Sequence, residues 1–293
     1  MKRWFALLAV LGVAVSGSAR AQTESVDWFR LGAQELAAGS VEKATEAYEK
    51  GVAAKPDARE GWYNLGIVYG RRRMFAKEVQ AYQKALELDP DYANAQHNLG
   101  LAYLDLGQKD KAVEALQKLV KAQPQAGDGW NNLGVAQLEK GDLEGARGAF
   151  QKAAEVMPES PDPRFNLGVT LMRLAEKESA TDKREPVLNS ASKMFDDVLR
   201  LDPSSYRAAY NQGVIQHRLG NPTTEIAAYR KALGLKADHA LSLYNLAAAL
   251  SARGQKDDAI TAWDAYVEAT RGDPAERAFQ DAARKELTRL KGL

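Results

Sequence analysis

The sequence has no cysteine in its 293 residues, so no disulfide framework can staple the fold, which must rest on packed apolar surface. An excess of one charge is missing too: 40 Lys and Arg face 39 Asp and Glu. Without a clustered basic surplus there is no footprint for a phosphate backbone, and no nucleic-acid partner is expected. Histidine is scarce. His97, His217 and His239 stand far apart, with no Asp, Glu or Cys at metal-ligand spacing, which argues against a zinc site. No phosphate-cradling glycine loop, nucleophile elbow or carboxylate pair in an apolar setting occurs. The expectation is a non-catalytic protein with no catalytic residue, metal, cofactor or small-molecule substrate.

Long apolar runs are absent with one exception. Lys2 and Arg3 precede the run Trp4 to Val15, and Ser16-Gly17-Ser18-Ala19-Arg20-Ala21 follows it. These 12 apolar residues are too few for a membrane-spanning helix, which needs about 20. With small residues Ala19 and Ala21 before Gln22, the segment reads as a signal peptide, residues 1–21, cleaved after Ala21. A periplasmic protein with no membrane span in the mature chain is therefore expected. Cleavage takes Lys2, Arg3 and Arg20 from the 40 basic residues and leaves 37 against 39 acidic ones.

What is present in abundance is a period. Asn64-Leu65-Gly66, Asn98-Leu99-Gly100, Asn132-Leu133-Gly134 and Asn166-Leu167-Gly168 recur every 34 residues. The register extends back to Leu31-Gly32 and, after a gap of 45 residues, forward to Gln212-Gly213 and then Leu246-Ala247. Sixteen residues beyond each small residue stands a bulky one: Tyr48, Tyr82, Leu116, Phe150, Tyr229 and Trp263, with Phe195 displaced. Gly39, Gly107, Gly141, Gly220 and Gly254 mark a turn between the two, and Pro56, Pro90, Pro124, Pro158 and Pro203 end most units. Each unit thus reads as helix, turn, helix and stop. The small residue lies where the two helices cross closest, letting the bulky one interlock.

Unit two carries Trp62, Leu65, Gly66, Tyr69, Tyr82, Ala85 and Pro90, and this pattern resembles the tetratricopeptide repeat. The resemblance covers residues 24–270 and implies an all-α fold: a right-handed α-solenoid of seven helix-turn-helix units plus a C-terminal capping helix. The expected units are 25–58, 59–92, 93–126, 127–160, 161–205, 206–239 and 240–273, with the cap at 274–293. One such pair cannot bury its apolar face alone, so neighbours stack into a continuous core.

Two irregularities stand out. Unit five holds 11 extra residues around 175–186, rich in charge, which would add about three helical turns, either as a protruding contact element or as a solvated extension that bends the solenoid. Glu78 and Glu225 replace an alanine found at this second-helix position in the other units (Ala44, Ala112, Ala146, Ala191, Ala259). A buried carboxylate needs a partner, and Arg71 to Arg73 and Arg218 are the expected ones.

The family's groove is lined by the first helices. Immediately before the Leu-Gly pair stand Asn64, Asn98, Asn132, Asn166, Asn211 and Asn245. An amide both donates and accepts, so such a row is suited to bonding an extended backbone, and the resemblance implies this use: a similar row serves the peptide groove of O-linked N-acetylglucosamine transferase. The same residues are equally suited to supporting the neighbouring helix. One residue earlier lie Phe29, Tyr63, His97, Asn131, Phe165, Tyr210 and Tyr244, aromatic anchors or packing residues. The carboxylate-clamp subclass is not matched, since Phe29 stands for its Lys and Ala33 and Ile67 for its Asn.

The expected function is a protein–protein interaction scaffold of the bacterial cell envelope. It would bind an extended or helical segment of another envelope protein within an assembly machine for pili, secretion, motility or outer-membrane proteins. A self-associating structural protein and a component of a polysaccharide export system are the alternatives.

Overall fold

The computed structural model describes residues 27–292, and the expected signal peptide at 1–21 lies outside the described residues. Within them the chain is all-helical: seven helix pairs and a final helix, preceded by one 3₁₀ turn. The pairs are α1 (Trp28–Ala37) and α2 (Val41–Ala54), α3 (Arg59–Arg71) and α4 (Phe75–Leu88), α5 (Ala93–Asp105) and α6 (Lys109–Ala122), and α7 (Gly127–Lys140) and α8 (Leu143–Val156). They continue with α9 (Pro161–Lys177) and α10 (Thr181–Leu201), α11 (Tyr206–Arg218) and α12 (Pro222–Leu235), and α13 (Ala240–Ala252) and α14 (Lys256–Ala269). α15 spans Arg277–Lys291.

Two packing rules generate the stack. Within a pair, the small residue of the first helix receives the bulky residue of the second. A Cβ at Gly100 would stand 2.6 Å from Leu116, and one at Gly134 would stand 2.6 Å from Phe150. Phe150, Phe195, Tyr82 and Tyr229 are at most 2% exposed, and each such burial stabilises by roughly 1.5–3 kcal/mol. Between pairs, the fourth residue of a first helix clasps the end of the previous unit. The indoles of Trp62 and Trp130 donate to the carbonyls of Pro56 (2.8 Å) and Pro124 (2.9 Å), and Arg164 Nη1 donates to that of Pro158 (2.7 Å). Proline therefore stops the second helix while its carbonyl is still satisfied.

The turn glycines adopt left-handed backbone, as at Gly107 (φ 70°), a region that other L residues enter at a cost. Unit two has Arg73 at that position, with φ 58°.

Unit five distributes its 11 extra residues as whole turns. α9 has 17 residues against 13 in α3, and α10 has 21 against 14 in α4. Additions of four and seven residues are close to one and two helical turns, so the core face is kept in register. The added turn of α9 is anchored: Ala175 is 1% exposed, and Glu176 meets Arg218 Nη2 of the next unit at 2.5 Å. This corrects the expectation that Arg218 serves Glu225. The insertion brings Glu176 within reach of Arg218, and buried Glu225 instead meets His217 Nδ1 at 3.0 Å. In unit two, Gly70 clears the space that Glu78 occupies; a Cβ there would stand 2.6 Å from Oε1.

α15 closes the C-terminal end. Ala283, Leu287 and Leu290 join the core of α13 and α14. Gln280 Nε2 donates to the Thr270 carbonyl (2.5 Å), and the Tyr266 hydroxyl donates to Glu276 (2.6 Å). Polar groups at the end of α14 thus find partners on the segment that leads into and forms α15.

Candidate functional site: the first-helix face

All six asparagines lie half-buried on one stripe of the first helices, and the structure assigns their NH₂ groups. Asn98 Nδ2 donates to the Tyr63 hydroxyl (3.2 Å), Asn166 Nδ2 to Asn131 Oδ1 (3.0 Å) and Asn245 Nδ2 to the Tyr210 hydroxyl (3.4 Å); Asn132 Nδ2 meets His97 Nε2 at 2.6 Å. Each is a bond from one unit to the residue preceding the asparagine in the unit before, a separation of 35 residues. The ladder breaks where that residue is phenylalanine. Asn211, which follows Phe165, turns to the Arg207 carbonyl of its own helix (3.0 Å). Asn64 follows Phe29, which has no acceptor and whose ring lies against Gly51.

The amide row is therefore a strut first. Each of these four amides spends one N–H inside the protein. Among the described residues the Oδ1 atoms of Asn98, Asn132, Asn166 and Asn245 make no bond within the chain, so what each amide offers outward is its oxygen and its second N–H.

The aromatics are half core and half surface. Tyr63 packs on Tyr82 (5.8 Å) and Tyr92 (5.1 Å), and Phe165 meets Phe195 edge-on (5.5 Å) with Arg207 4.5 Å over its ring. Tyr210 touches Tyr229 and His239, while Tyr244 touches Trp263, Tyr266 and Phe279. Burial raises the phenol pKa of Tyr63 and Tyr210, and that of Tyr92 is pushed up to about 12, so all three stay neutral. His239 lies between the rings of Tyr206 (5.0 Å) and Tyr210 (5.1 Å) with Nδ1 2.7 Å from Ser242 Oγ. Burial and then nearby Lys236 lower its pKa from 6.5, which leaves it neutral at pH 7.

A third line of residues escaped the sequence reading. Four residues before each asparagine, one turn away on the same face, stand Glu60, Asn94, Asp128, Asp162, Arg207 and Leu241, all exposed. The face carries an acid in units two, four and five, with Asn94 in unit three, and turns basic and apolar beyond. Leu241 and Phe279 are each 54% exposed. Spacing of i−4 from the asparagines was the available signal.

Sequence profiles described as tetratricopeptide repeats match residues 60–92, 97–176, 188–240 and 241–269, and one described as a TPR repeat matches 79–107. The chain belongs to the tetratricopeptide repeat family. No match was found among curated proteins. Similar solved structures include YrrB, titled a TPR protein with an unusual peptide-binding site (24% identity, 68% of this chain and 97% of YrrB, TM-score 0.57). PilF of Pseudomonas aeruginosa aligns at 20% identity over 78% of this chain and 99% of PilF, with TM-score 0.59. A tetratricopeptide repeat protein of Parabacteroides merdae aligns at 14% over 90% of this chain and 97% of its own, TM-score 0.59. At these identities the likeness establishes the fold alone, a tetratricopeptide solenoid.

Proposed function

We propose that this tetratricopeptide protein is a non-catalytic scaffold of the bacterial envelope that holds an extended or helical segment of a partner along its first-helix face. The carrying observation is the polarity of that face. Four asparagines commit one N–H each to the ladder and keep Oδ1 available, and Asp128 and Asp162 stand one turn away with no bond within the described chain. The amides suit the backbone of a bound segment, and the two acids favour cationic groups on it over units four and five. Arg207, Leu241 and Phe279 favour an apolar or acidic continuation over units six and seven. The apolar run before Gln22 supports export to the periplasm, and the likeness to YrrB, titled a TPR protein with an unusual peptide-binding site, supports the holding of a partner segment.

The test separates folding from holding. Asp128→Lys with Asp162→Lys touches no ladder bond but reverses a charge in the first turn of α7 and of α9, so the double variant is expected to lose about 1–2 kcal/mol and stay folded. Crosslinked capture of envelope neighbours is expected to drop at least about tenfold, the factor that 1.4 kcal/mol of lost binding gives. Undiminished capture by a stable double variant contradicts the proposal. Mass measurement of the mature protein tests export, with an N-terminus at Gln22 expected.

A further inference from the structure

On the other side of the first helices, a polar group that is satisfied within the chain in two units is left unsatisfied in the next. In α7, Trp130, Leu133 and Gln137 share a stripe roughly 180° round the helix from Asn132 and Val135, at 100° per residue. The residue equivalent to Gln137 in unit two is Tyr69, whose hydroxyl donates to Glu49 Oε1 (2.6 Å) and whose ring lies under Lys77 (5.4 Å). Unit three repeats the device: the Tyr103 hydroxyl accepts from Gln83 Nε2 (2.9 Å) beneath Lys111 (5.6 Å). Unit four has lost each part of it. Tyrosine has become Gln137, the lysine has become Gly145, and the Glu114 equivalent is Gly148.

What remains is a depression of about 610 Å³ between α6, α7 and α8 without that device, a volume within the roughly 300–1,000 Å³ usual for ligand sites. Buried Val120, Leu133 and Ala149 form its floor. Trp130 walls it with its indole N–H already bonded to Pro124, so only apolar surface is presented. Gln137 is 8% exposed, and its Oε1 has no hydrogen-bond partner. A buried acceptor of this kind is where an incoming donor gains most. Lys121 and Glu144 stand at the edge of the depression, and Glu144 is paired with Arg147 at 2.8 Å. The matching depression one repeat earlier, about 650 Å³, is edged by Lys111, Glu114 and Lys118, and its tyrosine is satisfied.

We propose that the unit-four depression receives a tyrosine side chain from a partner protein, with the ring against Trp130 and the hydroxyl on Gln137. A cationic side chain would surrender its hydration to an apolar floor, and phenylalanine would leave Gln137 unanswered. A phenol donates and accepts, so it serves either end of the amide. Gln117, the counterpart of the Gln83 that serves Tyr103, stands on the rim. The site is distinct from the first-helix face and stands independently of the reading given to that face.

The full chain, labelled with ¹⁵N, is titrated with N-acetyl-tyrosinamide and with N-acetyl-phenylalaninamide while the Gly145, Gly148 and Trp130 indole resonances are followed. Saturable shifts at these three groups are expected, with the phenylalanine probe about tenfold weaker, as loss of one buried hydrogen bond predicts. Gly148→Leu fills the depression without a clash, because nothing lies within 4 Å of a Cβ there. It replaces a helix glycine with a better helix former, so Tm is expected to hold or rise while both probes cease to bind. Gln137→Leu is expected to equalise the two probes. Asp128→Lys with Asp162→Lys is expected to leave them unchanged, which keeps this test separate from that of the groove. Equal binding of both probes to the parent, shifts elsewhere only, or shifts undiminished in Gly148→Leu would overturn the proposal. Shifts that grow with protein concentration alone would assign the site to a second copy and contradict a foreign partner.

Discussion

Units two to five and units six to seven are built on one period yet present opposite faces. In the first group the face carries Glu60, Asp128 and Asp162 and the ladder bonds Asn98–Tyr63, Asn132–His97 and Asn166–Asn131. In the second it carries Arg207, Leu241 and the aromatic group Tyr206, His239, Tyr210 and Tyr244. The ladder is interrupted at Phe165 and Asn211, next to the unit that holds the 11 extra residues. The difference teaches that the period protects the contact between small and bulky residues, where a change is costly, and leaves the exposed positions free to diverge. The unequal residues are therefore the ones to read for function.

The largest expected effect tests the shared part. Gly134→Val drives a branched side chain into Phe150 and should destabilise by about 3 kcal/mol, measured by urea unfolding. In unit seven, where Ala247 already fills the equivalent position, Ala247→Gly should cost only about 1 kcal/mol. Equal costs would break the claim that the core rule is common and the tolerance local.

Next comes the ladder. Asn132→Ala and Asn166→Ala each remove an inter-unit bond and should each cost about 1 kcal/mol. Asn211→Ala removes only a bond within its own exposed turn and should cost under about 0.5 kcal/mol. A uniform cost along the row would erase the distinction between the two groups of units.

A smaller effect of opposite sign is expected in the turn of unit two. Arg73→Gly relieves a left-handed backbone at φ 58° and should raise stability by about 1 kcal/mol. No gain would mean that the Arg73 side chain compensates for its backbone.

The smallest effect concerns pH. His239 has a pKa below its ordinary 6.5 because burial between Tyr206 and Tyr210 penalises the cation. The unfolded chain binds the proton more readily, so this contribution is complete above about pH 6.5 and is lost as pH falls through the depressed folded value. Unit two has Tyr92 in the corresponding place. His239→Tyr should therefore flatten the decline in Tm between pH 7 and pH 5, and an unchanged slope would contradict the assignment.

The sequence legibly carried the helix pairs, because glycine and aromatic positions repeat with a spacing that only paired helices satisfy. The sharing of the insertion between α9 and α10 was also readable, since four and seven residues are near whole turns. The amide ladder was not read, although its signal exists as a period plus one: Tyr63 to Asn98, His97 to Asn132 and Tyr210 to Asn245. The partner of Glu225 escaped because two basic residues, His217 and Arg218, stood side by side, and only the three-dimensional position of Glu176 decides between them. The chemical character of the unit-four depression depends on three substitutions that are unremarkable singly and come together only when α6, α7 and α8 meet.

The central claim is that a partner lies along the first-helix face, and photocrosslinking in the envelope tests it most directly. A photoreactive residue replaces Asp128, Asp162 or Leu241 in turn, with exposed Lys193 of α10 as the position away from that face. The account predicts that the three first-helix positions yield adducts with one and the same partner and that Lys193 does not. Adducts from Lys193 alone, or different partners at Asp128 and Leu241, would contradict it.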